Sequence, residues 1–290
     1  MLRQFAFAAV LVAFSSLEVF AADPWIGKEV YCKNGAKAGV GSSQINIEVL
    51  PFPATVGKVK GDWLWLGHAW VHRDDVFLPE QALGYFTDQI RENPSAAENW
   101  SNRGALWNSR GEFNNAIRDL TQAIRLDPKF ASAYTNRGNA WSQKGKFDDA
   151  LRDYSDAMRL DPSDANSFNA AAWLRATCSN KDYRNGKRAV LHATTACELS
   201  AWRGSDTIDT LAAAYSELGD FKSAIQWQEK AIELATEDSE KQEMRLRLVL
   251  YKKGAPYRDS PSEWSALDFQ SRKNPVATEA AAGLEQRRGR

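Results

Sequence analysis

The feature that most constrains this chain is a ladder of prolines: Pro94, Pro128 and Pro162 stand 34 residues apart. Gly104 and Gly138 share that step, as do Trp107 and Trp141, Gly111 and Gly145, Phe113 and Phe147, and Ala123 and Ala157. Ala82, Ala116 and Ala150 extend it upstream. "NRGALWNSRGEFNNAIRDLTQAIRLDP" and "NRGNAWSQKGKFDDALRDYSDAMRLDP" are almost one sequence written twice. A chain repeating at this period stacks one supersecondary unit on the next, because no single unit can bury its own apolar face.

Within each unit the pattern is helical. Trp107, Ala116, Leu120 and Ala123 recur at helix spacing and interlock two helices. Gly104 and Gly138 allow the pair to approach closely, and Gly111 and Gly145 end the first helix. Asp-Pro at 127–128 and 161–162 stops the second, since proline cannot continue a helix and pushes its predecessor to extended backbone. On these residues the stretch closely resembles the tetratricopeptide repeat (TPR), a helical-hairpin solenoid.

The frame sets the expected boundaries. A half repeat covers 80–94, and full repeats lie near 97–130, 131–164, 165–203 and 205–236. Repeat three departs from the pattern: Ala171-Ala172 replaces Arg-Gly, and "TCSNKDYRNGK" inserts about five residues before Ala189. Residues 237–254 read as a polar capping helix, which a solenoid end needs. Residues 255–290, ending in "EQRRGR", are expected to be a mobile tail.

Upstream, residues 22–79 hold short alternating runs such as "QINIEVL" and "DWLWL", which predict strands. "GDWLWLGHAWVHRDDV" is similar to the C-terminal half of an SH3-like domain. The expected fold is therefore a small all-β SH3-like barrel followed by an all-α TPR helical solenoid. Alternation puts Leu64, Leu66, Val71 and Val76 in the core, with Trp63 and Trp65 on the other face. The resemblance would set Trp63 and Trp70 along a shallow ligand groove, although Asp75 stands where a groove tyrosine is usual. These tryptophans serve either packing within the chain or recognition of something outside it. His68 and His72 are four apart with Asp74 and Asp75 following, but a strand and turn supply no third ligand, so no metal site is expected.

"FAFAAVLVAF" behind Met1-Leu2-Arg3, followed by Val19-Phe20-Ala21, predicts a signal peptide over 1–21 and an exported, periplasmic or extracellular protein. No later stretch is long and apolar enough to span a membrane. The 37 Lys+Arg balance 37 Asp+Glu, giving no reason to expect a nucleic-acid partner. Cys178 and Cys197 would lie ~15 Å or more apart along their helices, beyond the roughly 7 Å a disulfide spans. Cys197 is expected to be a buried apolar residue.

The resemblance implies that a partner segment binds the concave face, on each repeat's first helix. Carried over position by position, the contacts would be Ser101, Asn102, Ala105 and Asn108 in repeat one. They would be Thr135, Asn136, Asn139 and Ser142 in repeat two, and Asn166, Asn169 and Trp173 in repeat three. An asparagine amide can donate to one backbone group and accept from another, or it can simply make a polar wall. The lysines of the carboxylate-clamping members are missing, and Arg103 and Arg137 turn toward the neighbouring helix. No Gly-x-Ser-x-Gly, phosphate-cradling loop or His-Glu-x-x-His occurs, so neither catalysis nor a cofactor is expected. Three functions stay open: an adaptor that binds a protein or peptide in the groove, a cell-wall-binding module with the solenoid as spacer, and a structural subunit of an envelope assembly.

Overall fold

The computed structural model describes residues 24–33, 37–40, 43–46, 54–66 and 69–259. The expected leader, His68 and everything after Asp259 lie outside these. The chain divides into two compact units, 1–82 and 83–290.

The first unit is all-β. Its strands are β1 (Glu29–Cys32), β2 (Lys37–Val40), β3 (Ser43–Asn46), β4 (Ala54–Thr55), β5 (Lys58–Lys60), β6 (Trp63–Trp65), β7 (Trp70–His72) and β8 (Val76–Phe77). Among the described residues they make two antiparallel sheets, ordered β4-β1-β8 and β3-β2-β7-β6-β5, where one closed barrel was expected. Two corners divide the sheets. At the first, the Val56 amide donates to the Lys28 carbonyl (2.9 Å) and the Gly57 amide to the Trp65 carbonyl (2.8 Å), so the chain leaves one sheet for the other. At the second, a 3-10 turn at Arg73–Asp75 ends β7 and sends β8 to pair with β1. Val30, Cys32, Val56, Leu64, Leu66, Ala69, Val71 and Val76 form the core.

The second unit is helical. It comprises α1 (Pro79–Glu92, begun in the first unit), α2 (Ala97–Ser109), α3 (Phe113–Leu126), α4 (Ala131–Gln143), α5 (Phe147–Leu160), α6 (Ala165–Thr177), α7 (Gly186–Leu199), α8 (Ser205–Leu218), α9 (Phe221–Leu234) and α10 (Asp238–Lys252). Close approach explains two helical glycines: a Cβ on Gly104 would lie 2.6 Å from Leu120 Cγ, and one on Gly138 2.6 Å from Tyr154 Cε1. Gly145, with φ +69°, closes α4 in the left-handed conformation that side chains resist. Asp127 and Asp161, each before a proline, are extended, and their carboxylates accept from the amides of Lys129 and Ser163.

A polar staple recurs with the repeat. Arg103 donates from Nε and Nη2 to the buried Asp119 carboxylate (2.7 and 3.1 Å) and from Nη1 to Thr87 Oγ1 (3.2 Å). One side chain thus ties α2 to α3 and to α1. Arg137 repeats this with Asp153 and Thr121, tying α4 to α5 and α3. Each guanidinium also lies over an aromatic ring, Trp100 at 5.2 Å and Tyr134 at 5.6 Å. These contacts account for arginines that do not face the groove.

Repeat three loses both halves of the staple together. Ala171 stands in the arginine position and His192 in the aspartate position. His192 meets Phe168 edge-on at 6.0 Å, and burial holds its imidazole below the usual range. The inserted residues form a 3-10 turn at Lys181–Tyr183, and Tyr183 donates to Asp148 (2.7 Å). No Asp-Pro ends this repeat. Ala201 and Trp202 turn the chain at φ 51° and 58° instead, and Trp202 stacks on Trp227 (5.2 Å).

The expected mobile tail differs at its start. Residues 255–259 lie against α6. The Asp259 amide donates to the Thr177 carbonyl (2.8 Å), and the Ser179 amide to the Asp259 carbonyl (3.2 Å). This is a one-residue parallel bridge to Cys178. The reason is sterically local: α6 ends at Thr177 and exposes unpaired backbone, which the returning strand satisfies.

Candidate functional site

The first helices of repeats two to four, with α10, line a half-open cavity of about 650 Å³. Its lining contains Thr135, Asn136, Asn139, Asn166, Asn169 and Trp173, all expected from the repeat frame, and Ser142 beside them. Asn102, Ala105 and Asn108 sit on α2, one repeat earlier, outside this lining. Asn108 has a structural partner: its Nδ2 donates to the Asn136 carbonyl (2.7 Å), joining α2 to α4.

The asparagines are not equivalent. Asn139 Oδ1 accepts from Tyr154 Oη (2.8 Å), so its remaining hydrogen-bonding group is the amide NH2. Asn169 Oδ1 is buried without a hydrogen-bond partner among the described residues. Asn166 follows the N-cap of α6, where Asp164 accepts from the amides of Asn166 (3.0 Å) and Ser167 (3.2 Å). Its side chain is exposed. Thr135 is almost fully buried and belongs to the wall.

The groove contacts, carried over only through repeat three, left out the far wall. Asp206, Asp209 and Thr210 on α8 also line the cavity, with Glu240, Met244 and Arg247 on α10 and Asp259 beyond it. Asp209 occupies the position of Thr135 and Asn169 once the insertion is allowed for, so extending the register would have found it. It is buried and held by Arg247 Nε (2.9 Å) and Gln228 Nε2 (2.6 Å). Burial pushes its carboxyl up, against the pull of both donors. Arg247 also lies 5.6 Å from the ring centres of Trp173 and of Tyr257.

Trp173 is therefore engaged at both its polar tip and its ring. Its Nε1 donates to Asp259 Oδ2 (2.9 Å), and its ring meets Tyr257 at 5.8 Å.

On the β unit, Trp63, Trp65, Trp70 and His72 share the outer face, since Leu64 pairs with Val71 on the other side. Trp65 contacts Trp70 (5.4 Å), and Trp63 contacts His72 edge-on (5.3 Å). Trp63 is 41% exposed. His72 Nδ1 accepts from the Asp74 amide (3.3 Å). Among the described residues no group of His, Cys, Asp and Glu could hold a metal, and no helix is long and apolar enough to cross a membrane.

Residues 104–144 match a TPR repeat model, and residues 131–164 and 207–238 match models of the tetratricopeptide repeat. The chain carries tetratricopeptide repeats. Among solved structures it is similar to TTC0263, a thermophilic TPR protein in Thermus thermophilus. That pair shares 20% identity, 60% of this chain and 91% of that chain, with a TM-score of 0.49. It is also similar to YrrB, described as a TPR protein with an unusual peptide-binding site, at 20% identity, 70% and 100% coverage and TM-score 0.44. A third is MamA 41-end from Desulfovibrio magneticus RS-1, at 18% identity, 54% and 85% coverage and TM-score 0.44. No curated protein matches the chain.

Proposed function

We propose that this protein is a non-catalytic adaptor that holds an extended segment of a partner protein in the cavity between α4, α6, α8 and α10. The observation that carries this is the cavity itself: about 650 Å³, walled by the first helices and lined with amides and carboxylates. Asn136, Asn139, Asn166 and Asn169 offer donors and acceptors to a peptide backbone whatever its side chains. Asn102, Ala105 and Asn108 continue the same helix row, so a longer segment would run on over α2. The binding is shape and hydrogen bonding, without bond-making chemistry.

Affinity capture from an envelope extract, with the full chain beside an Asn136→Ala/Asn166→Ala variant, tests this. One protein enriched by the natural chain and lost by the folded variant supports the reading. Equal capture by both overturns it.

A second reading concerns the β unit. Its strand order around "GDWLWLGHAWVHRDDV" and the two sheet corners support an SH3-like assignment, and the exposure of Trp63 supports a ligand for its outer face. A cell-wall saccharide or stem peptide stacked on Trp63 and Trp70 fits an amphipathic aromatic surface. Pelleting of the full chain with purified cell wall, abolished by Trp63→Ala, is the expected outcome. We also read the chain as exported, on the basic-apolar-small pattern of residues 1–21. Amino-terminal sequencing of the protein from fractionated cells should then begin at or near Ala22.

A further inference from the structure

At its Trp173 end the cavity is walled in part by Asp259, from a segment of the chain that returns after α10. Residues 255–259 return after α10, with Asp259 in a one-residue bridge, and bring three contacts. Tyr257 lies against the Trp173 ring (5.8 Å) and under Arg247. Asp259 accepts from Trp173 Nε1 (2.9 Å). The Asp259 backbone pairs with Thr177 and Ser179 in the parallel bridge. Arg258 points the other way, donating to Glu217 Oε2 (2.6 Å) and to the Ala176 carbonyl (3.3 Å). This is how an extended ligand binds: backbone pairing for hold, alternate side chains for selection. Arg247, the one cation in the cavity lining among the described residues, sits at this end but is paired with Asp209 (2.9 Å), so the strand's carboxylate is selected by the Trp173 indole N–H and not by net charge.

We propose that residues 255–259 are a tethered pseudo-ligand. They occupy a strand-binding subsite at Trp173 and compete there with a partner segment of the same pattern, an aromatic residue two positions before a carboxylate. The proposal rests on the groove reading above and names both a ligand class and an internal competitor for it. The Asp259 backbone pairing, the indole hydrogen bond and the Arg258–Glu217 ion pair hold the segment without a covalent link to the subsite. Its tether gives it an effective concentration of about millimolar, so weak partner strands are shut out and matching ones compete.

The probe is a labelled synthetic peptide of sequence APYRDS with blocked ends, followed by fluorescence anisotropy. It is titrated onto the full natural chain, onto Tyr257→Ala/Asp259→Ala, and onto that variant with Trp173→Phe added. Thermal melts establish that each is folded. A chain ending at Gly254 vacates the subsite in a second way if the double variant does not fold. The expected result is at least tenfold tighter peptide binding once the subsite is vacated, with most of that gain lost on Trp173→Phe, which keeps an aromatic ring, though a smaller one, and removes the N–H. Equal binding by natural and vacated chains, or no binding by a folded vacated chain, overturns the proposal. Either of those results, alongside partner capture that still depends on Asn136 and Asn166, removes the pseudo-ligand and leaves the groove reading standing. Loss of that dependence alone counts against the groove.

Discussion

Arg137 grips Asp153 through two parallel hydrogen bonds of 2.8 Å, Nε to Oδ2 and Nη2 to Oδ1. The aspartate side chain is only 5% exposed. Removing one partner strands a buried charge, which costs about 3 kcal/mol or more, whereas removing both costs less. Urea unfolding should therefore show Arg137→Ala destabilised by about that amount. Arg137→Ala/Asp153→Ala should recover part of the loss. Simple addition of the two single effects would mean the staple is not a coupled pair.

One substitution should have opposite signs at two glycines. In Gly138→Ala the new methyl would meet Tyr154 at 2.6 Å and the Ala150 carbonyl at 3.2 Å, so α4 and α5 must part. Overpacking of this kind costs about 1–3 kcal/mol. Gly84 lies inside α1, exposed, with nothing within 4 Å of an added Cβ. There alanine should stabilise by up to ~1 kcal/mol through backbone entropy. Thermal melts of the two variants settle the pair.

His192 makes stability depend on pH. Burial first, then Arg175 and Arg188, hold its folded pKa below the usual 6.5. The folded chain therefore prefers the neutral ring. The stability from that preference is complete above about 6.5 and is lost progressively as pH falls from there through the lowered folded value. His192→Leu should flatten this part of the profile between about pH 7 and pH 5. An unchanged slope would place the acid sensitivity elsewhere.

All three cysteines are free and buried. Burial raises the Cys32 and Cys197 thiols to about 11. Reactivity follows the thiolate. The native chain should resist a thiol reagent near neutral pH, and three thiols should react after denaturation. Rapid labelling of Cys197 in the native chain would contradict its place in the α7 core.

The repeat was legible because it is written in local terms. Gly138, Arg137 and Asp161 each act on residues within one or two helices, and the 34-residue step repeats the same signals. The cavity wall on α4 and α6 followed from that register. The wall on α8 needed the groove positions carried past the insertion within residues 177–187, which shifts every later position. Arg247 and Asp259 were out of reach. Asp259 meets Trp173 across 86 residues of sequence, and no periodicity links the two. In the β unit, three-residue strands such as Trp63–Trp65 show which face is buried but not where the sheet turns. The corners at Gly57 and Arg73 depend on backbone hydrogen bonds that side-chain alternation does not record.

The central claim is that the partner lies in the cavity, and the most direct measurement is site-specific photocrosslinking. A photoreactive residue is placed at Asn136, inside the cavity, or at Arg118, exposed on α3 outside it. The account predicts a discrete adduct with a partner protein from position 136 and none from position 118. Adducts of equal yield from both positions, or from 118 alone, would contradict it.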